Sequence, residues 1–432
     1  MSKNIPGLII CLIFFTTFLV LFLFSKCLIS LRVFQDFEPE YSWLSHCVTN
    51  VLGYSTVIIP GYLVFKYIRK TNYLDRAGNG FLPTIIHKFF GEEELIDRAN
   101  SSSTPTQYSQ SKKAVLLVTY FIGLLISFLC WGVLQEKIMT QNYVNSLNET
   151  SQFKDSQFLV LVNRVLAFCF SGIYICCKRQ PRHKCPLYKY IFCSLSNVMS
   201  SWCQYEALKY VSFLHQVLSK AAKTIPVMIM GKIISRTKYE YYEYLTAIIL
   251  SVGMLFFMLD TGDDNGTTIT TFTGVVLLTS YIAFDSFTSN WQGALFKSFG
   301  MSPVQMMCAV NFFSCILTST SLLQKGGFIE SINFMYQFPS FIIDCFLLSF
   351  CSAIGQLLIF STLATFGPLV FAIISTIRQG CSVLLSCLIY HHQVNALGIF
   401  GIVLVFFSIF LRIYCSYRMK NIRNRRPNEG KN

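Results

Sequence analysis

Charged residues are scarce in this chain of 432 residues. Asp, Glu, Lys and Arg together make up 13% of it, whereas soluble domains carry about 25%. Acidic residues are the scarcer kind, with 21 Asp and Glu against 35 Lys and Arg. Because 53% of the chain is hydrophobic and its mean hydropathy is +0.50, a soluble globular protein is excluded. The composition predicts an all-α polytopic membrane protein.

Enzyme and metal-site motifs are also missing. The sequence has no Walker loop, HExxH or GxSxG motif. Its 17 cysteines lie mostly singly within apolar segments, with no CxxC and no Cys/His spacing that suits zinc. His391-His392 is compatible with a membrane acyltransferase, but paired His at a helix end is more often interfacial. We therefore expect no enzyme activity, no metal and no cofactor.

Apolar runs of bilayer length recur along the whole chain. The first run exceeds about 15 residues and no small-residue cleavage site follows it, so we expect a retained anchor rather than a signal peptide. Twelve windows can be drawn, at 8–30, 43–66, 114–134, 157–177, 188–210, 211–234, 242–260, 272–296, 303–323, 338–363, 368–391 and 394–415.

Basic residues indicate topology rather than nucleic-acid binding, because they fall mainly in short loops beside the apolar windows. In a twelve-span count these loops and the tail lie on one side, which the positive-inside rule makes cytosolic. Both termini are then cytosolic. The sequons at Asn148 and Asn265 fall on the lumenal side and are predicted glycosylation sites, whereas the sequon at Asn100 is cytosolic and silent.

The windows group into an N-terminal hairpin (1–66), a cytosolic polar linker (67–112), a body (113–415) and a basic tail (416–432). The body divides into halves of about 113–262 and 270–415. KAAKTIPVMIMGKII, from Lys220, has a counterpart in STIRQGCSVLLSCLI, from Ser375, which places Lys223 opposite Arg378. Repeats of five helices that each contribute a basic residue near mid-membrane are typical of secondary transporters.

Lysines inside the sixth window are the main functional signal. Lys220 and Lys223 are three residues apart, so on a helix they share one face. A lysine at mid-membrane costs roughly 2.5–3.5 kcal/mol, which indicates that the chain uses both, and two buried ammonium groups suit a multivalent anion. Pro226 allows the helix to bend or open at that depth. The alternative is that both lysines reach out to an interface.

Other polar residues lie within apolar windows. Arg378 stands among isoleucines, which indicates a substrate cavity, and Arg164 is a supporting cation. The alternative for Arg164 is an internal ion pair with Glu206 or Asp285. Glu136 is more consistent with an interfacial position. Because the basic set outnumbers the plausible buried acids, we expect a receptor for phosphate or sulfate. The aromatic candidates for a base ring are Tyr205, Tyr281 and Trp291.

Several stretches of the body resemble the nucleotide-sugar transporters of the drug/metabolite transporter superfamily. They are spread along most of the length of residues 113–415, from 131 to 390, and their order and spacing make the resemblance specific. They are WGVLQEKIMT (131–140), DSQFLVLVNRVLAF (155–168), LSNVMSSWCQYEALKYVSF (195–213), QVLSKAAKTIPVMIMGKIISR (216–236), YEYLTA (242–247), SYIAFDSFTSNWQGALF (280–296), SPVQMMCAVNFFSC (302–315) and IRQGCSVLLSCLIY (377–390).

The resemblance implies ten core helices in two inverted five-helix repeats, a Golgi membrane address, and antiport of 3′-phosphoadenosine 5′-phosphosulfate (PAPS) against adenosine 3′,5′-bisphosphate. PAPS carries roughly four negative charges, which suits a cavity rich in cations. The expected phosphate and sulfate contacts are Lys220, Lys223 and Arg378, supported by Arg164, and the expected adenine and ribose contacts are Gln204, Tyr205, Asn290 and Gln356.

Two other functions stay open at this point. One is a transporter of another nucleotide conjugate, such as a UDP-sugar. The other is a membrane protein that transports nothing, an acyltransferase or a trafficking receptor. The partners that we expect are the nucleotide and the lipid bilayer, with no nucleic acid, and a homo-oligomer is compatible with the sequence.

Overall fold

The chain folds almost entirely into helices, as shown by a computed structural model. The structure describes residues 5–30, 42–76, 80–91, 110–140, 142–144, 150–153, 155–178, 180, 185–207, 210–211, 223–261, 272–325, 327–389 and 396–429. The helices are α1 (Ile5–Ser30), α2 (Ser42–Thr71), α3 (Tyr73–Arg76), α4 (Phe81–Phe90), α5 (Gln110–Thr140), α6 (Ser156–Cys177), α7 (Tyr188–Ala207), α8 (Thr224–Ile234), α9 (Tyr241–Thr261), α10 (Phe272–Phe299), α11 (Pro303–Lys325), α12 (Gly327–Gln337), α13 (Pro339–Phe366), α14 (Pro368–Ile389) and α15 (Ala396–Glu429).

The chain is a multi-pass membrane protein. Within the described ranges, seven helices are long and apolar enough to cross a bilayer: α1, α2, α5, α6, α11, α13 and α15. The other five predicted windows also contain helices, α7, α8, α9, α10 and α14. The apolar parts of α8, α9 and α14 are shorter, and α7 and α10 carry more polar residues. These five helices hold several of the predicted site residues.

Residues Met1–Val198 and Leu295–Ser361 form the first of two compact units. In it α6 packs along α11, and α6 is capped by Asp155, whose Oδ1 accepts hydrogen bonds from the Gln157 and Phe158 N–H groups. The N-terminal hairpin belongs to this unit, because α2 also packs on α11 and the Ser321 hydroxyl donates to Asn50 Oδ1 at 3.0 Å.

A short β-hairpin closes one end of the first unit. Strands β1 (Asn142–Val144) and β2 (Thr150–Gln152) pair antiparallel, with Tyr143 opposite Ser151. Tyr143 and Phe153 pack edge-on and tilted against Phe341 of α13, at ring-centroid distances of 5.4 and 4.6 Å. The aromatic cluster therefore anchors the hairpin to a helix that is distant in sequence.

The segment predicted as a polar linker, 67–112, begins with folded helices. Helix α2 continues to Thr71, and α3 and α4 follow. The buried side chains of Tyr73 and Ile86 share one apolar cluster with α1 and α2, and Phe90 stacks on Tyr188 of α7 at 6.3 Å. Apolar burial thus orders this part of the segment, while residues 92–109 lie outside the described ranges.

Residues Met199–Ala294 and Thr362–Asn432 form the second unit. Here α9 packs along α15, and α8 packs against α9 and α14 around the buried Met228 and Ala247. Each unit combines segments from both predicted halves of the body. The division into halves and the ten-helix inverted repeat stay predictions.

Candidate functional site

Lys223 is positioned by the start of α8 in the second unit. Its carbonyl accepts the first helical hydrogen bond, from the Val227 N–H at 3.0 Å, and 9% of the residue is exposed. Pro226 lies in the first helical turn, where an N–H has no helical acceptor. Helix α8 begins at Thr224, and the predicted bend or opening near Pro226 stays a prediction because residues 212–222 lie outside the described ranges. Lys220 lies outside the described residues.

The side chain of Lys223 has two partners from other helices. Its Nζ lies 3.5 Å from Asp285 Oδ2 of α10 and 5.2 Å from the ring centroid of Phe371 of α14, which is within cation–π range. Lys223 is therefore buried within the second unit and has a carboxylate beside it. Its position at mid-membrane, and the alternative position at an interface, stay predictions.

Arg378 lies on the same side of α14 as Phe371, because the two are seven residues, about two helical turns, apart. Tyr281 of α10 is buried and interacts electrostatically with both Arg378 and Asp285. Asp285 follows Tyr281 by four residues, so both project from one face of α10. Lys223, Arg378, Tyr281 and Asp285 thus form one charged cluster, contributed by α8, α10 and α14.

Asn290 joins α10 to the lysine helix. Its Nδ2 donates to the Val227 and Ser286 carbonyl oxygens, both at 2.9 Å. Its Oδ1 is buried and accepts no hydrogen bond from the described residues. A Cβ at Gly231 would clash first with the Tyr239 hydroxyl and would also lie 2.9 Å from Asn290 Oδ1, which together explain a glycine at this position. The amide nitrogen of Asn290 therefore has a structural role, and Oδ1 is the atom left for a ligand.

Like Asn290 Oδ1, two neighbouring hydroxyl oxygens are buried and form no hydrogen bond with the described residues. They belong to Thr224, which follows Lys223, and to Ser286, which follows Asp285. Such groups cost about 1–3 kcal/mol each when left unpaired. Unsatisfied polar atoms beside buried charges are typical of a site that binds a polar ligand.

The first unit holds a separate polar group around Arg164. Arg164 Nη1 donates to Asn311 Oδ1 of α11 at 3.4 Å. Asn311 Nδ2 donates to Gln356 Oε1 of α13 at 2.9 Å and to the Met307 carbonyl at 2.8 Å. Two of the predicted contacts, Arg164 and Gln356, are therefore linked through Asn311. The alternative partner Asp285 forms its described ion pair with Lys223, and Glu206 is buried on α7.

The remaining predicted residues are placed less fully. Gln204 is partly buried on α7, and Tyr205 lies on the same helix, although its side chain is outside the described part of the structure. Trp291 stacks on Phe287 with ring centroids 5.6 Å apart. Asn148 and Asn265 both fall outside the described residues. All of these assignments stay predictions.

Sequence reasoning missed Asn311 and Phe371. Asn311 stands in MMCAVNFFSC, an apolar stretch in which an amide is a signal that could have been followed. Phe371 gave no signal, because the chain has 41 phenylalanines and only the packing of α14 places this ring beside Lys223.

Comparisons with known proteins identify the relatives of the chain. The model of the UAA transporter family matches residues 113–416. "Adenosine 3'-phospho 5'-phosphosulfate transporter 1" of Drosophila melanogaster is 48% identical, and the alignment covers 98% of this chain and 96% of that protein. The protein of the same name from Homo sapiens is 47% identical over 88% of each chain. "UDP-galactose/UDP-glucose transporter 5B" of Arabidopsis thaliana is 36% identical, over 71% of this chain and 88% of that protein.

Proposed function

The chain belongs to the UAA transporter family, and from this premise we propose that it carries PAPS from the cytosol into the Golgi lumen in exchange for adenosine 3′,5′-bisphosphate. One observation carries the proposal: relatives that are 47–48% identical and align over most of this chain bear the name of a transporter for this nucleotide. The imported sulfate donor would then supply lumenal sulfotransferases.

The charged cluster supports the same substrate. The second unit provides two cations, the buried Lys223 and the partly buried Arg378, and Arg164 provides a third in the first unit. A guanidinium binds phosphate or sulfate through two parallel hydrogen bonds, and an ammonium acts as a point charge. In the proposal Lys223 and Arg378 bind the phosphosulfate and the 3′-phosphate together with Lys220, and Arg164 supports them. Gln204, Tyr205, Asn290 and Gln356 contact adenine and ribose.

Transport of a UDP-sugar is the second candidate, because a named UDP-galactose/UDP-glucose transporter is 36% identical. Two features weigh against it. The identity is lower, and a UDP-sugar carries roughly two negative charges where PAPS carries roughly four. The proposed site, which contains several cations, is better matched by the more highly charged ligand.

Counter-flow in proteoliposomes tests the proposal. Purified protein is reconstituted into vesicles that are loaded with adenosine 3′,5′-bisphosphate, and uptake of labelled PAPS is measured. We expect uptake that requires the internal nucleotide and that excess external UDP-galactose leaves unchanged. Protein-free vesicles and vesicles without internal nucleotide are the controls. Displacement of the label by UDP-galactose at equal concentration favours the UDP-sugar candidate, and absence of any nucleotide exchange favours a protein that transports nothing.

The Golgi location and the topology belong to the proposal. Short loops rich in Lys and Arg, including 178–184 and the tail from Arg412, face the cytosol, and both termini are cytosolic. Asn148 and Asn265 then face the lumen. Protease added to sealed Golgi vesicles should remove tags at both termini, and glycosidase digestion should shift the wild-type protein but not an Asn148→Gln/Asn265→Gln variant. A tag protected at either terminus contradicts the twelve-span count.

A further inference from the structure

Asp285 occupies the buried side of α10 and is nevertheless partly exposed. Tyr281, Thr288 and Gln292, which flank it at helical spacing, are buried, whereas Thr279 and Ala283 on the other side are exposed. The Asp285 side chain is 31% exposed, against 11% for Lys223. Its exposure therefore arises on the side of α10 that carries the charged cluster, not on the side that faces outward.

The contact between Asp285 and Lys223 is loose. At 3.5 Å it is longer than the 2.7–2.9 Å of a strong charge-assisted hydrogen bond. Asp285 Oδ2 is buried against the lysine and accepts no hydrogen bond from the residues that the structure describes. A structural ion pair inside a protein is normally completed by further hydrogen bonds. The Lys223–Asp285 pair has opposite charges, but Asp285 Oδ2 lacks those further hydrogen bonds among the described residues.

We propose that Asp285 is the internal counter-ion of the empty transporter, pairing with Lys223 when no nucleotide is bound and giving up that lysine to a substrate phosphate or sulfate oxygen. The inference rests on the proposed function. A multivalent anion offers Lys223 shorter contacts and higher charge than one carboxylate at 3.5 Å, so it displaces Asp285 on binding. After release the carboxylate compensates the ammonium again.

This exchange of partners affects one step of the transport cycle above all. In nucleotide exchange the site changes sides with a ligand bound, whereas in net transport it must return empty. An uncompensated lysine in a membrane-spanning segment is unfavourable, because the surroundings do not solvate its charge. Asp285 removes much of that cost from the empty form alone. Its loss should slow the empty return and strengthen substrate binding, because the bound anion no longer competes with a carboxylate.

The experiment compares two fluxes in the same proteoliposomes. Exchange is measured as efflux of labelled adenosine 3′,5′-bisphosphate into buffer with saturating PAPS, and net transport as efflux into buffer without nucleotide. For Asp285→Asn we expect the ratio of exchange to net efflux to rise about tenfold or more, because only the empty form loses the carboxylate that compensates Lys223. The KM for external PAPS should fall severalfold. Asp285→Glu, which keeps the charge, should remain near wild type in both quantities.

Thr279→Val is the matched control, because Thr279 lies on the exposed side of the same helix and its hydroxyl donates to the Val275 carbonyl, one turn earlier in that helix. Its ratio should equal that of wild type. An unchanged ratio in Asp285→Asn, an equal loss of both fluxes or a raised KM overturns the inference. If Asp285→Asn is aggregated in size-exclusion chromatography, Asp285→Ser replaces it with the same expectation. Wild type without any exchange contradicts the proposed function, whereas wild-type exchange with an unchanged mutant ratio contradicts only the role of Asp285.

Discussion

The two units hold their cations in different ways. In the first unit the described contact of Arg164 is to an amide: Nη1 donates to Asn311 Oδ1, and Asn311 is itself fixed by Gln356 and by the Met307 carbonyl. In the second unit Lys223 has a carboxylate at 3.5 Å and an aromatic ring at 5.2 Å. An amide orients a guanidinium without changing the local charge, whereas a carboxylate cancels the charge of an ammonium.

The described contacts of the two cations therefore differ in kind. Asn311 orients the Arg164 guanidinium through an amide oxygen, whereas Lys223 lies 3.5 Å from a carboxylate oxygen that accepts no hydrogen bond from the described residues. In the role that we infer for Asp285, it is the lysine of the second unit that changes partner when an anion arrives.

The largest effect is expected at Lys223. Lys223→Ala removes the ammonium and leaves Asp285 as an unpaired carboxylate in the charged cluster, which repels a polyanion. Because the substrate loses one of its cations and meets an uncompensated carboxylate, exchange should fall about a hundredfold, which corresponds to about 2.7 kcal/mol of lost stabilisation. Lys232→Ala, at the exposed end of the same helix, is the control and should exchange normally. Normal uptake by a folded Lys223→Ala protein would remove this lysine from the site.

A smaller effect on transport is expected when a carboxylate is added beside Arg164. Asn311→Asp has nearly the same shape as wild type but adds a negative charge, so the KM for PAPS should rise about tenfold, because the carboxylate repels the polyanion and competes with it for the guanidinium. The melting temperature of the purified protein should fall, because Asn311 is buried and its Nδ2 donates to Gln356 Oε1 and to the Met307 carbonyl, and a carboxylate cannot replace either hydrogen bond. KM is therefore measured on the fraction that elutes as folded protein in size-exclusion chromatography. A KM that does not change would show that Arg164 acts on structure and not on substrate.

Much of the fold could be predicted from the sequence, because hydropathy over a bilayer length is a local signal. Each of the twelve apolar windows contains a helix, and the family relationship is confirmed by the match over residues 113–416. The helices at the start of the polar insertion could not be predicted in the same way. FLPTIIHKFF in α4 is short, and its partner Tyr188 lies about 100 residues further along the chain.

The site was predictable in its residue types and less so in its partners. A lysine or arginine in an apolar run is conspicuous, which is why Lys223, Arg378 and Arg164 could be singled out. Whether Asp285 pairs with Arg164 or with Lys223 depends on how α8 and α10 pack. The sequence alone allowed both, and only the packing shows Asp285 beside Lys223.

A glycine at a helix contact can be compared between the two units. In the second unit a Cβ at Gly401 would meet backbone atoms, the Phe257 nitrogen at 2.5 Å and the Gly253 carbonyl oxygen at 2.6 Å. In the first unit a Cβ at Gly123 would meet only the tip of the Leu358 side chain at 2.9 Å. Gly401→Ala should therefore destabilise the protein by about 1–3 kcal/mol, and Gly123→Ala by less, because a side chain can move and a backbone cannot. Thermal unfolding in detergent measures both, and equal losses would contradict the close approach of α9 and α15.

The smallest effect is expected at the half-exposed ion pair of the first unit. Lys137 Nζ lies 2.8 Å from Asp344 Oδ1, and the exposed fractions of the two side chains are 44% and 9%. Because the lysine is solvated and the amide of a glutamine can still donate to the buried carboxylate, Lys137→Gln should cost only about 1 kcal/mol of stability. Tyr143 donates to the other carboxylate oxygen at 3.0 Å, and burial raises the pKa of Tyr143 well above its ordinary value. The stability from this protonated phenol is fully present below the ordinary tyrosine pKa of about 10 and is lost only as pH rises through the raised value. Melting temperatures of wild type, Lys137→Gln and Tyr143→Phe between pH 7 and 9 should thus run parallel, with unchanged KM for PAPS. A changed KM in Lys137→Gln would contradict a purely structural role for the Lys137–Asp344 ion pair.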